Sequence, residues 1–249
     1  MKPESLKLMN NALNPAARPM SLSRREAFWG YAFISPWLIG FIVFTLGPMI
    51  ASLVLSLTKY NITTAPVFIQ FDNYIKLFTG DPKFWHSLGI TIKFAVVAIP
   101  LNLVFGFVLA LLLNQKVPGV AFWRTIYYLP SVIAGVAVAI LWSLIFNPRF
   151  GIVNWLLSLV GIDGRGWLAS PDLAVPALII MSLWSVGGGM IIYLSGLQSI
   201  PTALYEAAEL DEASSWQRLF YITIPLISPV IFYNLVIGII GTFQYFTEV

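Results

Sequence analysis

The chain contains no cysteine and only one histidine, His86, which stands beside Trp85 in a mixed segment. The absence of cysteine excludes disulfide bonds and thiolate metal sites. A lone histidine in such a segment is more often a surface residue than a ligand, because catalysis and metal binding need several groups that converge. We therefore expect no catalytic residue, no metal site and no cofactor in this chain.

Charged residues are also scarce. They make up 10% of the 249 residues, against 58% hydrophobic residues, whereas roughly a quarter of a soluble domain is charged. The mean hydropathy of +0.83 agrees. Beyond Arg24 and Arg25 there is no basic cluster, so nucleic-acid binding has no support. Several charge-free runs reach the length of about 20 residues that a helix needs to cross a bilayer. The composition predicts an all-α polytopic membrane protein.

The charge-free runs predict five membrane-spanning helices. The first should lie in residues 27–58, with the span itself near 30–57 and a bend or interruption at Pro36 and Pro48. We expect residues 1–26 to form a loosely folded tail and residues 59–93 an external loop. Residues 94–249 should form the core transmembrane domain with the other four spans, placed at residues 94–115 and within 125–148, 174–197 and 220–242.

Three shorter segments carry their own expectations. Residues 116–127 are predicted to form a short polar turn. The apolar stretch at residues 150–162 is too short to span a bilayer and predicts an interfacial or re-entrant helix. Within the fourth span, three consecutive glycines at residues 187–189 favour close helix packing over a local unwinding beside a transport pathway.

The basic residues predict which side of the membrane the N-terminus occupies. With the tail inside, the inner segments hold eight Lys and Arg residues and the outer segments hold six. This bias is small, but Arg24 and Arg25 adjoin the first span, where basic residues influence orientation most. We therefore expect a cytoplasmic N-terminus, which also places the segment 200–225 in the cytoplasm.

The segment 200–225 is an acidic island between two charge-free runs, residues 173–205 and 219–247. Its carboxylates fall within seven residues: Glu206, Glu209, Asp211 and Glu212. We expect a first short helix after Pro201, since proline suits the first turn of a helix. A break over residues 211–213 should precede a second helix, for which Ser214 and Gln217 have the spacing of a capping box.

The predicted first helix is suited to protein docking. Leu204, Ala207 and Ala208 should share one of its faces, with Glu206 and Glu209 on another. A helix that lies on a membrane surface usually carries Lys and Arg, and anionic lipid would repel this acidic one. We therefore expect the helix to dock on a cytoplasmic partner protein, whose surface could approach the small alanines closely.

Polar and aromatic residues within the spans are candidates for a substrate path, although interhelical hydrogen bonds explain many such residues. No Asp, Glu, Lys or Arg lies inside a proposed span, which disfavours an ion-coupled secondary transporter, the main alternative. A membrane assembly protein that transports nothing remains a second alternative. The path candidates are Asn102, Ser131, Trp184, Ser185, Asn234, Gln244 and Tyr245.

The acidic segment resembles the EAA loop of permease subunits in binding-protein-dependent ABC importers. The matching residues are Glu206-Ala207-Ala208, Asp211-Glu212-Ala213, Ile222, Ile224-Pro225 and Pro229. The resemblance covers roughly residues 24–249. Similarity to the carbohydrate-uptake branch, with its maltose- and glycerol-phosphate-type permeases, extends through RREAFWGYAFISPWLIGF, FDNYIKLF, FWRTIYYLPSVIAGVAVAILW and LSGLQSIPTALYEAAELDEA.

The resemblance implies an ABC importer type I transmembrane domain in a bacterial or archaeal cytoplasmic membrane. Such a subunit moves a sugar or sugar derivative by alternating access. It would pair with a second permease subunit, a cytoplasmic ABC ATPase dimer and an external substrate-binding protein, within membrane lipid. The chain has no Walker A sequence, so ATP hydrolysis would belong to the separate ATPase. Residues implied in coupling to it are Leu204, Glu206, Ala207, Ala208, Asp211, Glu212 and Ala213.

The chain departs from the family pattern at two points. Glu212 stands where the family usually has glycine, whose freedom at positive φ permits the turn between the two short helices. We expect Glu212 to follow an ordinary turn instead and to add a fourth negative charge. Relatives also continue through a sixth span, so we expect that this chain, with five visible transmembrane helices, is truncated at its C-terminus.

Overall fold

The computed structural model describes residues 22–61, 63–115 and 118–244. The chain divides after Pro82 into two compact units. Among the described residues, three helices are long and apolar enough to cross a membrane, and two bent helix pairs bring the number of candidate spans to five. The predicted five spans agree with this number if each bent pair is counted as one span.

The first unit begins with a long helix, α1 (Leu22–Ser56). None of the residues in its most apolar stretch of 18 is buried. Of the two prolines, Pro36 lies in uninterrupted helix, and only Pro48 has an interruption beside it, a single π-helical turn at Ile42–Leu46. There the Gly47 N–H donates to the Ile42 carbonyl five residues earlier. A proline cannot take part in the regular hydrogen-bond ladder, and one wider turn accommodates it without breaking the helix.

A small hairpin follows α1 in the first unit. Strand β1 (Thr58–Asn61) pairs antiparallel with β2 (Thr64–Phe68), and a short helix, α2 (Asp72–Ile75), continues into a π-helical turn, Lys76–Gly80. The Asn73 amide donates to the carbonyls of Ser56 and Thr58 at 2.8 and 2.9 Å. Apart from Thr58, the hairpin lies within the predicted loop 59–93, and the Asn73 bonds fix α2 to the end of α1.

The first helix of the second unit is α3 (Pro82–Leu113), whose first residue is the last of the first unit and which starts well before the predicted boundary at residue 94. Proline suits the first turn of a helix, which explains the earlier start. Helix α4 (Val120–Tyr128) continues as a 3-10 turn, Leu129–Val132. The predicted polar turn at residues 116–127 is therefore wrong from Val120 onward.

The remaining helices follow in chain order. The chain bends by 98° between Val132 and α5 (Gly135–Ile145), a geometry that fits either a broken third span or a re-entrant loop. The short helix predicted at residues 150–162 is α6 (Ile152–Leu159). Helices α7 (Ala174–Trp184) and α8 (Gly187–Gln198) meet at 46° and form the fourth span. Helix α9 (Thr202–Leu210) lies in the acidic segment, and α10 (Ser215–Phe243), with a π-helical turn at Leu219–Thr223, contains the fifth span.

The second unit has two groups of buried apolar side chains. One joins α3, α8 and α10 through Ala110, Met190, Tyr193 and Ile227. The other joins α5 and α7 through Val138, Trp142, Ala177 and Met181. Many other large apolar side chains of the spans are exposed, as expected for surfaces that face lipid, where backbone polar groups are satisfied inside each helix.

The three consecutive glycines lie where the fourth span bends. A Cβ atom at Gly187 would overlap the carbonyl oxygen of Tyr127 and lie 2.8 Å from the Cα atom of Tyr128. The close-packing interpretation is therefore confirmed at Gly187, where α8 touches the backbone of α4. The helix is also interrupted immediately before it, at Ser185 and Val186, so packing and a local break occur together.

Candidate functional site

The end of α9 is built around Glu212. The Glu212 N–H donates to the Glu209 carbonyl at 3.0 Å, and the Ala213 N–H donates to the Ala208 carbonyl at 2.9 Å. These bonds form a Schellman motif, in which the residue after the C-cap is left-handed. Glu212 has a φ of 55°. The expectation of an ordinary turn is wrong, because Glu212 takes the conformation that glycine provides without strain.

We expect Glu212→Gly to stabilise the protein by about 1 kcal/mol, because a left-handed L-residue costs roughly 1–2 kcal/mol. The thermal unfolding midpoint of the purified protein in detergent would measure this effect. Glu206→Gly is the matched control, since it removes the same charge but places glycine inside α9, which costs about 1 kcal/mol. If both variants lower the midpoint equally, the proposed strain at Glu212 does not exist.

The start of α10 confirms the predicted capping box. The Gln217 N–H donates to the Ser214 hydroxyl at 3.3 Å, and the Ser214 N–H donates to the Gln217 side-chain oxygen at 2.7 Å. Both donors would otherwise lack a partner at a helix N-terminus. The connection between α9 and α10 is therefore defined at both ends by hydrogen bonds within the segment.

Two side-chain contacts also join α9 to α10. The Arg218 guanidinium lies 2.6 Å from the Glu209 carboxylate, and the hydroxyls of Tyr205 and Thr223 are hydrogen-bonded at 2.9 Å. Glu209, which we expected to be available to a partner, is exposed but paired within the segment. The other acidic side chains of the segment are exposed: Glu206, Asp211 and Glu212.

The faces of α9 differ from the prediction in one residue. Leu204 and Ala207 are exposed as expected, but Ala208 is half-buried on the same side as Tyr205. Leu210 extends the outer face and is 87% exposed. We call this outer face of Leu204, Ala207 and Leu210 the docking face. It offers a small central residue between two leucines, beside exposed carboxylates, which is a suitable shape for a groove on another protein.

A separate cavity of about 320 Å³ lies between α3, α7, α8 and α10. The Asn102 amide donates to the Ala98 carbonyl at 2.8 Å and to the Ser182 hydroxyl at 2.9 Å. From α10, the Asn234 amide donates to the Val230 carbonyl at 2.9 Å. The cavity wall combines these groups with aromatic, aliphatic and small side chains. Besides Asn102, Ser182 and Asn234, its lining includes Phe94, Ser185, Gly189, Tyr193, Gly238 and Thr242.

The structure brings three of the seven path candidates to this cavity: Asn102, Ser185 and Asn234. The Ser131 hydroxyl instead donates to the Tyr128 carbonyl at 2.7 Å. Trp184 packs edge-on against Trp142, with ring centroids 6.1 Å apart. Gln244 is exposed after the end of α10, and Tyr245 lies outside the described residues.

Ser182 and Thr242 also line the cavity, although the sequence reasoning missed them. Their hydroxyls donate to carbonyls of their own helices at 2.8 Å, a bond that makes such residues inconspicuous in apolar helices. Helical spacing could have found them. Ser182 stands three residues before Ser185, and Thr242 stands eight after Asn234, so each lies on the same helix face as a candidate.

The apolar bent spans, the cavity between them and the capped two-helix segment together define a membrane transport subunit. The chain belongs to the family described as the binding-protein-dependent transport system inner membrane component, whose pattern matches residues 102–249. It is thus a permease subunit of an ABC importer, as the resemblance in its acidic segment predicts.

Individual relatives extend the similarity along most of the chain. The probable ABC transporter permease protein YesP of Bacillus subtilis is 47% identical over 226 residues, which cover 90% of this chain and 73% of YesP. The trehalose/maltose transport system permease protein MalF of Thermococcus litoralis is 34% identical, over 90% of this chain and 77% of MalF. Neither relative gives support to the two alternative functions, an ion-coupled secondary transporter and a membrane assembly protein.

A solved structure has the same fold. It is a bacterial alginate ABC transporter in complex with an alginate pentasaccharide-bound periplasmic protein. One of its chains superimposes with a TM-score of 0.77 and 30% identity, covering 91% of this chain and 77% of that one. The predicted fold class, an ABC importer transmembrane domain, is therefore confirmed.

Proposed function

We propose that this subunit moves a sugar or sugar derivative inward across the cytoplasmic membrane, and that its α9 segment couples it to a separate ATPase dimer. A second permease subunit would complete the pathway, and an external binding protein would deliver the substrate. The relatives named for trehalose and maltose, for lactose in Rhizobium radiobacter, and for alginate support a carbohydrate substrate. The observation that carries the coupling role is the docking face of α9, which is exposed to solvent and belongs to a segment held by internal hydrogen bonds.

The geometry of the α9 segment favours docking. The Schellman motif ends α9, the capping box begins α10, and the Tyr205–Thr223 and Glu209–Arg218 contacts hold the two helices together, so little conformational freedom is lost when a partner binds. The exposed carboxylates beside the docking face would attract basic groups around a groove of the ATPase. In this proposal the N-terminus and the α9 segment lie on the cytoplasmic side, and the coupling residues are Leu204, Glu206, Ala207, Ala208, Asp211, Glu212 and Ala213.

The cavity favours an uncharged, hydroxylated substrate. Its volume of about 320 Å³ falls at the lower end of the range of roughly 300–1,000 Å³ for small-molecule sites. The side chains that line it, all within the described residues, offer amides and hydroxyls beside Phe94 and Tyr193 but no charged group. Sugars match this combination, because they have an apolar face and several hydroxyls. We therefore propose that Asn102, Ser182, Ser185, Asn234 and Thr242 line the path.

We expect Asn234→Ala to lower sugar uptake about tenfold at limiting sugar, since one lost hydrogen bond is worth about 1–1.5 kcal/mol. Uptake of radiolabelled sugar by proteoliposomes with the complete transporter would measure it. Gln244→Ala is the matched control, because it removes an exposed side-chain amide outside the cavity lining. Equal uptake by the two variants would contradict the role of the cavity.

A further inference from the structure

The π-helical turn of α10 is the point where the acidic segment enters the fifth span. It covers Leu219–Thr223, and at its end the Ile224 N–H donates to the Leu219 carbonyl five residues earlier. Such turns insert an extra residue into a helix and are frequent at functional sites. Thr223, the last residue of the turn, is only 5% exposed. A buried hydroxyl needs partners, and those of Thr223 link two helices.

The Thr223 hydroxyl lies between α9 and α10. It donates to the Arg218 carbonyl at 3.2 Å, within its own helix, and is hydrogen-bonded to the Tyr205 hydroxyl of α9 at 2.9 Å. One threonine oxygen therefore connects the first half of the acidic segment to the base of the fifth span. Thr223→Val would preserve the side-chain shape and remove both bonds.

The Arg218 side chain makes a second link at the same place. Its guanidinium is only a quarter exposed and lies 2.6 Å from the Glu209 carboxylate of α9. Tyr205 and Glu209 are four residues apart, so they lie on one face of α9, one turn from each other. Two successive turns of that face are therefore attached to the same short part of α10. We call these two links the α9–α10 ties.

The α9–α10 ties restrain a motion that the backbone alone would permit. Residues 211–214 connect the two helices without helical structure. Without the ties, a force on α9 could rotate it about this connection and leave the fifth span in place. Two attachments spaced along one face prevent both a change of angle and a rotation about either contact.

We propose that Tyr205 and Thr223, together with the Glu209–Arg218 pair, are positioning residues that make α9 and the fifth span move as one body. This inference rests on the proposed function, in which the ATPase displaces α9. The ties would convert that displacement into movement of α10, whose residues Asn234 and Thr242 line the cavity. Their loss would leave ATPase binding intact and reduce the sugar moved per ATP hydrolysed.

The test compares variants of the complete transporter in proteoliposomes with its binding protein. Tyr205→Phe and Thr223→Val each remove one end of the hydroxyl pair, whereas Thr223→Ser keeps the hydroxyl. Tyr221→Phe is the matched control, because that tyrosine is in the same turn but 80% exposed. Copurified ATPase, ATP hydrolysis and sugar uptake are measured on the same preparations.

We expect Tyr205→Phe and Thr223→Val to lower the sugar imported per ATP at least about fivefold, the lower end of coupling effects between sites. Copurified ATPase should stay at the level of the unmodified chain. The double variant should be no worse than Thr223→Val alone, because both substitutions remove the same bond. Thr223→Ser and Tyr221→Phe should keep the original ratio of sugar to ATP.

An unchanged ratio of sugar to ATP in Tyr205→Phe and Thr223→Val would overturn the proposal, and so would additive losses in the double variant. If Thr223→Val assembles poorly, the ratio of sugar to ATP measured with Tyr205→Phe tests the proposal alone. Failure of the proposed function is distinguishable, because the unmodified chain would then retain no ATPase at all.

A second readout needs no transport. Spin labels on cysteines introduced at Thr202 and Tyr221, both exposed and outside the docking face, report the separation of α9 and α10 in the complete transporter, since this chain has no cysteine of its own. We expect a narrow distance distribution that broadens with Thr223→Val. An equally narrow distribution with that substitution would contradict the ties.

Discussion

Gly187→Ala is expected to prevent the second unit from folding correctly. The new Cβ atom would overlap the Tyr127 carbonyl and lie 2.8 Å from the Tyr128 Cα. These are backbone atoms, which cannot move aside as the end of a side chain can, so α8 would have to separate from α4. Overpacking of this kind costs about 3 kcal/mol or more, a large part of the 5–15 kcal/mol that typically stabilises a protein.

Size-exclusion chromatography of fluorescently tagged protein from solubilised membranes measures this loss, as the fraction in a single symmetric peak. Gly188→Ala is the matched control in the next position. Its Cβ would lie 3.8 Å from the Ser131 Cβ, an ordinary contact, and alanine favours helix over glycine by about 1 kcal/mol. If Gly187→Ala gives as much folded protein as Gly188→Ala, the close approach of α8 and α4 does not occur.

Ala207→Trp and Glu206→Lys are expected to abolish copurification of the ATPase. Tryptophan would fill the docking face at its small central residue, and lysine would place a positive charge where the partner is expected to be basic. Interface substitutions of this severity cost about 2 kcal/mol or more, at least a thirtyfold loss of affinity. Pull-down of the tagged permease, followed by quantification of bound ATPase, measures the effect.

The controls make the same chemical changes on α6 and the loop after it. Ser158→Trp adds the same bulk at an exposed position, and Asp163→Lys reverses an exposed charge. Both should retain the ATPase, because the proposed topology places them on the outer side. If the α9 variants bind ATPase and sustain ATP-driven uptake as well as these controls do, α9 is not the docking element.

The features that the sequence predicted correctly depend on local patterns. The capping box at Ser214 and Gln217 needs only three residues of spacing, and five charge-poor runs suffice to count the spans. The family follows from the acidic segment, whose residues lie close together in the chain. Each of these features depends on neighbouring residues, so no knowledge of the packing was needed.

The errors concern features that depend on non-local contacts or on the backbone. Glu212 adopts a positive φ because the Schellman bonds stabilise it, against the preference of its residue type. Ala208 is half-buried on the side of Tyr205, whose hydroxyl is bonded to Thr223, eighteen residues away in the chain. The start of α4 at Val120 and the 98° bend after Val132 follow Pro118-Gly119 and Pro130, but these residues do not by themselves show whether a helix resumes or how sharply the chain bends.

The cavity could be predicted only in part. Asn102, Ser185 and Asn234 were identified because amides and hydroxyls stand out in apolar spans. Whether such a residue faces the cavity, a neighbouring helix or lipid depends on the rotation of each helix, which packing decides. Trp184 is the clear example, because its ring packs against Trp142 and is not part of the cavity lining.

The central claim is that the docking face of α9 lies in the cytoplasm, where an ATPase can reach it. The chain has no cysteine, so Ser215→Cys introduces a single thiol at an exposed position of the same segment, outside the docking face that the ATPase would cover. A membrane-impermeant maleimide is applied to intact cells and to inside-out vesicles. The account predicts labelling of the vesicles alone, and labelling of intact cells from the external medium would contradict it.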